Sequence, residues 1–297
     1  MNPPDRRRLS RLLSRLANAT VPEALAMVDG DGDGSVCRRV GVTGAPGAGK
    51  SSLLGKLAPH RLRGDNDLAI IAIDPTSPIS GGAILGDRIR MQDLATDPHI
   101  YIRSLASRGS TDGLADNLHD ILAAIDRFRF AEVVIETVGV GQVEYAIRGL
   151  VDTLVLVLTT GSGDQIQAMK SGILETADIY VINKADMPGA PRMMADLNTV
   201  LKQRVRGPAD WPPAIVRTSM NDAASIARLS AEIDRHQAWM ASAGQQLDLA
   251  GERRRRHAAS LMVRRVEEIM KALPAAALRL PIGELFEFVA TQLAMPR

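Results

Sequence analysis

The sequence predicts an α/β fold in which a mainly parallel sheet carries helices on both faces. One observation is a series of short apolar runs rich in β-branched residues, at positions 40–43, 68–74, 100–103, 133–136, 153–159, 179–183 and 214–219. The other is helical periodicity in most of the intervals, notably at 50–62, 112–128, 164–176, 191–205 and 222–240. Near-continuous apolar strands that alternate with helices are typical of a parallel sheet buried on both faces.

Composition limits the classes of protein to which the chain can belong. Lys and Arg number 36 and Asp and Glu 34, and this near-neutral balance argues against a nucleic-acid partner. The arginine run 253–256 has no interleaved aromatic residues, so we interpret it as a solvated helix face. The single cysteine, Cys37, excludes an intrachain disulfide and argues against a cysteine-based metal site. No apolar run reaches about 18 residues, so no membrane partner is expected.

Changes of composition along the chain predict three parts. Residues 1–36 are expected to form an N-terminal extension, with two short helices within 6–28 and a linker at 29–35. Residues 37–245 are expected to form the α/β core, and residues 246–297 a C-terminal helical arm. Within the arm, GERRRR at 251–256 opens a long helix to about residue 272, LPAAALRLP interrupts it, and a short helix follows. Such an arm suits oligomerisation.

Two N-terminal patterns have competing interpretations. Residues 6–16 are rich in Arg and Ser with amphipathic spacing, as in an organelle transit peptide, but the stretch is short and adjoins Asp5. A surface helix with a basic face is the simpler interpretation, and a cytoplasmic location is expected. The linker resembles the start of a calcium loop, but Val40 stands where a bidentate Glu is needed. No calcium site is therefore predicted.

A glycine-rich loop follows the first predicted strand and opens a helix. Its sequence, GAPGAGKS, has the G-x-x-x-x-G-K-S pattern of a phosphate-binding loop, in which backbone N–H groups and a helix N-terminus surround phosphate. Lys50 would reach the β- and γ-phosphates, and the Ser51 hydroxyl would bind Mg²⁺. The predicted nucleotide-binding residues here are Gly44, Ala45, Pro46, Gly47, Ala48, Gly49, Lys50, Ser51 and Ser52.

The sequence NKAD at 183–186, at the end of a later strand, predicts which base is bound. The Asp186 carboxylate can accept hydrogen bonds from N1–H and N2–H of guanine, a donor pair that adenine lacks. GTP and GDP are therefore the expected nucleotides. The end of the next strand fits a loop that closes over the guanine. The predicted base-binding residues are Asn183, Lys184, Asp186, Ser219 and Met220.

Acidic residues predict a metal site and the catalytic centre. Asp74 and Glu136 end apolar strands, and ligands of doubly wound sheets lie at the carboxyl ends of strands. Asp87, the one carboxylate of the long loop 75–91, is a further candidate for Mg²⁺ or its water, with a solvated loop acid as the alternative. The candidate catalytic residues are Lys50, Asp74 and Glu136, and the candidate Mg²⁺ ligands are Ser51, Asp74, Asp87 and Glu136.

The sequence ETVG at 136–139 occupies the place of the D-x-x-G switch of small GTPases. There the glycine N–H, here that of Gly139, contacts the γ-phosphate, and the longer arm of Glu136 is expected to reach Mg²⁺ through water. The next residue is Val140 rather than a Gln that could orient the attacking water. Intrinsic hydrolysis is therefore expected to be slow.

Taken together, these motifs resemble the MeaB/ArgK family of G proteins, the chaperones of cobalamin-dependent acyl-CoA mutases that include the methylmalonic aciduria type A proteins. The likeness is carried by GVTGAPGAGKSSL (41–53), IAIDPTSPISGGAILGDRIRM (71–91), ETVGVGQVE (136–144) and TTGSGDQIQAMKSGILETADIYVINKAD (159–186). The resemblance implies a P-loop NTPase fold of the SIMIBI class and a homodimer.

The resemblance also implies an activity. The chain would hydrolyse GTP to GDP and phosphate, slowly alone and faster with its partner. It would gate delivery of adenosylcobalamin to an acyl-CoA mutase (methylmalonyl-CoA mutase or a relative) and protect or reactivate that enzyme. Asp74, Asp87 and Glu136 match the family's metal and switch carboxylates. Lys170 matches a Lys in a switch loop through which the family signals to its mutase.

Other functions remain open on the sequence. A GTPase of the same class could serve another client, although nickel insertion would predict Cys/His clusters and protein targeting a Met-rich RNA-binding domain. A small-molecule kinase would need an acceptor pocket and a general base, and NKAD is unusual in such enzymes. The chain departs from the family pattern at 103–113, where Asp112 replaces a usual Gly, and in the tail after residue 245, which is shorter.

Overall fold

The computed structural model describes residues 1–28, 37–62, 64, 66–74, 92–107, 114–115, 117–137, 143–160, 173–203, 207 and 210–294. Several sequence predictions fall outside these residues. They are the linker 29–35, the loop 75–91 with Asp87, Gly139, Lys170 and most of the predicted helix 164–176.

The described residues form a seven-stranded sheet in the order β3-β2-β4-β1-β5-β6-β7, and every neighbouring pair is parallel. The strands are β1 (Arg38–Thr43), β2 (Leu68–Asp74), β3 (Ile100–Ala106), β4 (Glu132–Glu136), β5 (Thr153–Thr159), β6 (Ile179–Asn183) and β7 (Ala214–Arg217). All seven predicted strands are confirmed. Because parallel strands end at the same edge of a sheet, the loops after β1, β2, β4 and β6 meet at one edge.

Helices cover both faces of the sheet, as the sequence predicts. They are α1 (Pro3–Leu16), α2 (Val21–Val28), α3 (Lys50–Arg61), α4 (Gln92–Ala95), α5 (Leu118–Asp126), α6 (Val143–Arg148), α7 (Ala190–Lys202), α8 (Ala223–Ser242), α9 (Gln245–Lys271) and α10 (Ile282–Ala294). Short 3-10 helices lie at Ile173–Glu175 and Ala277–Arg279. Among the described residues, no helix is both long and apolar enough to cross a bilayer.

Helices α1 and α9 begin earlier than the sequence predicts, for identifiable reasons. Helix α1 begins at Pro3 rather than near residue 6, because the Asn2 side chain caps it by accepting from the Asp5 N–H at 2.9 Å. Helix α9 begins at Gln245 rather than near residue 251, only a short turn after α8. Gly244 makes that turn at φ +70°, a conformation that glycine adopts without steric cost.

Strand β2 contributes to two apolar cores, one on each face of the sheet, because successive side chains of a strand point to opposite faces. On one face Ala69, Ile71 and Ile73 pack with α1 and α5, and Leu9, Leu13 and Leu16 of α1 are fully buried there. On the other face Leu68, Ile70 and Ala72 pack with α3 and α8. Helix α1 is therefore part of the core packing. The predicted division of the chain at residues 36 and 245 stays a prediction.

Arg61, the last residue of α3, ties that helix to the sheet. Its Nε and Nη2 donate to the carboxylate of Glu132, the first residue of β4, at 2.8 and 2.6 Å, and Nη1 donates to Asp234 at 2.6 Å. Burial disfavours the charged form, but the hydrogen bonds and negative charges of these partners raise the pKa of Arg61. Breaking such a buried pair typically costs about 3–5 kcal/mol. The far end of α3 is thus anchored.

Helix α9 is attached to the core by buried ionic contacts. Arg253 Nη2 donates to Asp152 at 2.7 Å, and His257 Nε2 lies 2.7 Å from Asp120 Oδ1. Arg264 also donates to Asp120, which is buried. Burial opposes ionisation of Asp120, but the hydrogen bonds from His257 and Arg264 lower its pKa. The interpretation of the run 253–256 as a solvated helix face is therefore wrong for Arg253, which is buried against Asp152, although the other three arginines are exposed.

Candidate nucleotide site

The phosphate-binding loop joins β1 to α3, and three of its glycines have positive φ. The φ angles of Gly44, Gly47 and Gly49 are +141°, +78° and +87°. A Cβ on Gly44 would lie 2.1 Å from the Val157 backbone oxygen of β5, so no side chain fits there. Since α3 starts at Lys50, its first N–H groups lie next to the loop and can contribute to anion binding.

Lys50 is buried within this loop and is only 7% exposed. Its ammonium donates to the carbonyl oxygens of Gly44 at 2.7 Å and Ala45 at 3.2 Å. The loop backbone therefore holds a positive charge where the phosphate site is predicted. Ser52, in the first turn of α3, is exposed.

Three oxygen-bearing side chains lie buried at the same edge of the sheet. Ser51 Oγ donates to Glu136 Oε1 at 2.6 Å, which joins the phosphate loop to the end of β4. Glu136 is 2% and Asp74 is 1% exposed. Nearby, Thr137 donates from Oγ1 to Thr43 Oγ1 at 2.8 Å and fixes the backbone after β4.

This donor set fits Mg²⁺, which prefers oxygen ligands and usually keeps part of its shell for substrate phosphates and water. Among the described residues, no group of three His, Cys, Asp or Glu side chains is arranged to hold a metal ion. Asp87, the fourth predicted ligand, lies outside the described residues. The assignment of Ser51, Asp74 and Glu136 as metal ligands stays a prediction.

The NKAD segment at 183–186 is bonded directly to the phosphate loop. Asn183 Nδ2 donates to the Ala48 carbonyl at 2.9 Å, and Lys184 Nζ donates to the Gly47 carbonyl at 3.2 Å. Lys184 has a φ of +54°, uncommon for a residue with a side chain. Thr218 then ties in the next strand end, because its Oγ1 donates to Asn183 Oδ1 at 3.1 Å.

A pocket of about 350 Å³ opens beside this segment, at the predicted base position. Asp186 is exposed at its edge, and Ser219 lies in the loop that follows β7. That loop is fixed by Ser225, whose Oγ accepts from the Ser219 N–H at 3.1 Å and donates to the Asp222 carbonyl at 2.6 Å. Met220 is half-buried and packs on the core below.

Sequence reasoning missed several residues at this site. Arg217 and Arg228 line the base pocket, and no motif includes them. The Thr43–Thr137 hydrogen bond was also missed, although both residues directly follow or end predicted strands and could have been paired. By contrast, the predicted phosphate loop, Glu136 and Asn183 are brought together.

The fold and the phosphate loop define the class of the protein. A parallel sheet with GAPGAGKS between its first strand and the next helix is a P-loop NTPase fold, and the predicted fold class is confirmed. The crystal structure of LAO/AO transport system kinase has the same fold, with a TM-score of 0.62 over 99% of both chains at 22% identity. Residues 26–277 match the family described as methylmalonyl-CoA mutase-associated GTPase MeaB. The chain belongs to this family.

Two relatives are similar to this chain over more than two thirds of its length. A Pyrococcus abyssi protein, provisionally named as a GTPase, is 46% identical over 210 residues, which cover 69% of this chain and 64% of that protein. The mouse methylmalonic aciduria type A homolog, named as mitochondrial, is 33% identical over 252 residues, covering 83% of this chain and 60% of that protein. The chain thus spans less than two thirds of the length of each relative.

Proposed function

We propose that the chain binds GTP with Mg²⁺ and hydrolyses it to GDP and phosphate. Membership of the MeaB family supports this. The strongest structural support for nucleotide binding is the 2.9 Å hydrogen bond from Asn183 to the Ala48 carbonyl, because this bond joins the predicted base-binding segment to the phosphate loop. One nucleotide can then contact both.

Each candidate residue has a defined task in this proposal. Lys50 compensates phosphate charge, and residues 44–52 enclose the phosphates with their backbone N–H groups, except Pro46, which has none. Ser51, Asp74, Asp87 and Glu136 would hold Mg²⁺, which supplies further neutralisation of phosphate charge. Val140, and not a Gln, directly follows Gly139, so the position that orients the attacking water in small GTPases has no side chain able to do so. We therefore expect turnover of the isolated chain to be slow.

Base selection is assigned to Asp186, with Ser219 and Met220 closing the pocket. Replacing Asp186 by Asn removes an acceptor for guanine N1–H and N2–H, and the Asn amide can donate to the C2 oxygen of xanthine. We expect Asp186→Asn to weaken GTP binding about a hundredfold and to favour xanthosine triphosphate. Fluorescent analogues of both nucleotides measure this, with Asp196→Asn on the exposed face of α7 as the control. Unchanged preference for GTP would remove Asp186 from base recognition.

The client that we propose is a cobalamin-dependent acyl-CoA mutase, methylmalonyl-CoA mutase or a relative. The family description and the name of the mouse relative support this choice. In this proposal the GTP cycle gates delivery of adenosylcobalamin and protects or reactivates the mutase, and Lys170 belongs to the signalling switch. The mutase accelerates hydrolysis. A GTPase with another client and, less favoured, a small-molecule kinase are the alternatives, and a kinase would transfer phosphate to an acceptor rather than release it.

We also propose a homodimer formed through the C-terminal helices. Ile282 and Phe286, one turn apart on α10, are 83% and 70% exposed, and Met262 and Val263 of α9 are 58% and 59% exposed. Light scattering should give a dimer for the wild type and for Thr291→Asp, and a monomer for the double variant Ile282→Asp/Phe286→Asp. A monomeric wild type would contradict the proposal.

The cellular location is proposed as cytoplasmic, although the mouse relative is named as mitochondrial. The Arg- and Ser-rich stretch 6–16 forms part of α1 with a buried leucine face, which supports a structural role for it. Cell fractionation with an antibody against the protein tests this, and recovery in an organelle would contradict it.

A further inference from the structure

A second, strongly basic groove lies on the opposite edge of the sheet from the nucleotide site. It has a volume of about 990 Å³ and runs between α1 and the turn that precedes β4. Asp67, directly before β2, and the turn residues 127–129 place it at the amino edge of the sheet. The phosphate loop lies at the carboxyl edge, roughly 20 Å away along the strands. The groove is therefore a separate site.

Arginines dominate the lining of this groove. Four come from α1 and two from the turn, and the described lining residues include two acids, Asp5 and Asp67. The Asp67 carboxylate accepts from the amino group of Met1 at 2.5 Å and lies 3.1 Å from His99 Nδ1. The six arginines are Arg7, Arg8, Arg11, Arg15, Arg127 and Arg129. Clustered like charges repel one another, so an anionic occupant would relieve an unfavourable arrangement.

The four arginines of α1 that line the groove are exposed, and none forms a salt bridge within 4 Å among the residues that the structure describes. The carboxylate of Glu23 interacts with Arg15 at longer range. At 3.6 residues per turn they fall within an arc of about 100°, away from the leucine face that packs on the core. Guanidinium groups bind carboxylates or phosphates in a bidentate manner, which lysines do not. The composition of the groove therefore favours a ligand with several planar or tetrahedral anionic groups.

The spacing of these arginines identifies the shape of the ligand. Arg7, Arg11 and Arg15 follow one another at about 6 Å along α1, a row of about 12 Å. Alternate residues of an extended peptide are about 6.6 Å apart, so carboxylates at every second position match the row. The groove also has half-buried apolar residues beside the arginines, Leu12, Met27 and Phe128, and the Arg8 guanidinium lies 6.0 Å from the Phe128 ring centroid.

We propose that this groove binds an extended segment of a partner protein in which acidic and apolar residues alternate. Carboxylates pair with the arginine row of α1, and the intervening apolar side chains pack on Leu12, Met27 and Phe128. An apolar floor suits such a peptide better than a sugar–phosphate backbone, and the near-neutral chain, with a net charge of +2, lacks the overall bias of a nucleic-acid binder. Partner binding and nucleotide binding thus use opposite edges of the sheet.

The test is fluorescence anisotropy with a labelled peptide of about ten residues that alternates Asp with Leu or Ala, in the absence of nucleotide. We expect wild-type protein to bind it with an affinity that falls as salt rises. The charge reversal Arg11→Glu/Arg15→Glu should weaken binding at least tenfold. The control Arg192→Glu/Arg254→Glu changes the net charge equally at exposed positions outside the groove and should change binding less than twofold.

Several results would overturn the proposal. Equal losses in both double variants would indicate attraction to net charge rather than to the groove. Tighter binding of an oligonucleotide than of the peptide, lost in Arg11→Glu/Arg15→Glu, would indicate that the groove is a phosphate site. No binding of the peptide by wild type would exclude the peptide class. Asp29, Asp31 and Asp33 follow α2 in the sequence and lie outside the described residues. If the peptide bound only after all three were changed to Asn, the chain's own carboxylates would be the occupant.

Folding and the nucleotide site are monitored in the same samples. Circular dichroism and GTP binding should be unchanged in both double variants, because neither pair contacts the nucleotide site. A variant that has lost its helical signal is replaced by Arg11→Gln/Arg15→Gln, which removes the charge without reversing it and should still weaken binding several-fold. Failure of the groove test with GTP binding intact leaves the proposed GTPase activity unaffected.

Discussion

Replacing Gly44 by Ala tests whether the phosphate loop depends on the close approach between this loop and the sheet. Gly44 has a φ of +141°, and an added Cβ would lie 2.1 Å from the backbone oxygen of Val157. Val157 lies within β5, between β1 and β6, so its carbonyl cannot move away without disturbing the centre of the sheet. Gly47 is a matched control because its φ is +78° but nothing lies within 4 Å of its added Cβ.

The two variants separate conformational strain from steric overlap. Holding a residue with a side chain at positive φ costs about 1–2 kcal/mol, and this term applies to both positions. Overpacking against a rigid neighbour adds about 1–3 kcal/mol or more, and this term applies only to Gly44. We therefore expect Gly44→Ala to lose about 2–5 kcal/mol of unfolding free energy and Gly47→Ala about 1–2 kcal/mol.

Urea unfolding of the wild type and of both variants, without nucleotide, measures these free energies. The dependence of the unfolding free energy on urea concentration should be the same for all three proteins. Binding of a fluorescent GTP analogue then shows whether the weakened loop still holds phosphate, and we expect Gly44→Ala to bind least. A Gly44→Ala protein as stable as Gly47→Ala would refute the steric argument. It would mean that the loop can move away from β5 at little cost.

Two further predictions concern charge. Lys50→Ala removes a charged donor, which should weaken GTP binding about 10- to 100-fold by the same fluorescence assay, and unchanged affinity would exclude Lys50 from phosphate binding. Burial lowers the pKa of His236 below 6.5, so below that pH the unfolded chain takes up a proton that the folded chain does not, and stability falls as the pH falls. His236→Gln should reduce this fall by up to about 1.4 kcal/mol per pH unit. The stability of both proteins is measured by urea unfolding at several pH values, followed by tryptophan fluorescence. This signal reports on the site because the ring centroids of Trp211 and Trp239 lie 4.8 and 5.6 Å from that of His236. The same dependence of stability on pH in His236→Gln and wild type would contradict the prediction.

The strands and the nucleotide-binding loops could be predicted from local sequence. Most strands contain a near-continuous apolar run because both faces of the sheet are covered, and this pattern needs no knowledge of distant residues. The glycines of 44–49 and the NKAD segment carry their chemistry in consecutive positions. The sequence predicts that Ser51 and Glu136 lie at the same edge of the sheet. It does not predict the hydrogen bond between them, because that bond depends on the pairing of β1 with β4.

Other features depend on tertiary contacts that the sequence does not reveal. Arg7, Arg11 and Arg15 are visible as the basic face of a helix, but their proximity to Arg127 arises only when α1 packs on α5. Arg217 and Arg228 meet at the base pocket from a strand end and from a helix. The predicted helix 112–128 is observed as Leu118–Asp126 among the described residues. Residues 114, 115 and 117 are not helical.

The most direct test of the proposed function is phosphate release from GTP by the purified protein, alone and with a cobalamin-dependent acyl-CoA mutase from the same organism. We predict slow release alone, a rise of at least about tenfold with the mutase, and no rise when Lys50→Ala replaces the wild type. The mutase without this protein serves as the blank. Fast release by the isolated protein, or an unchanged rate with the mutase, would contradict a GTPase that is coupled to this client.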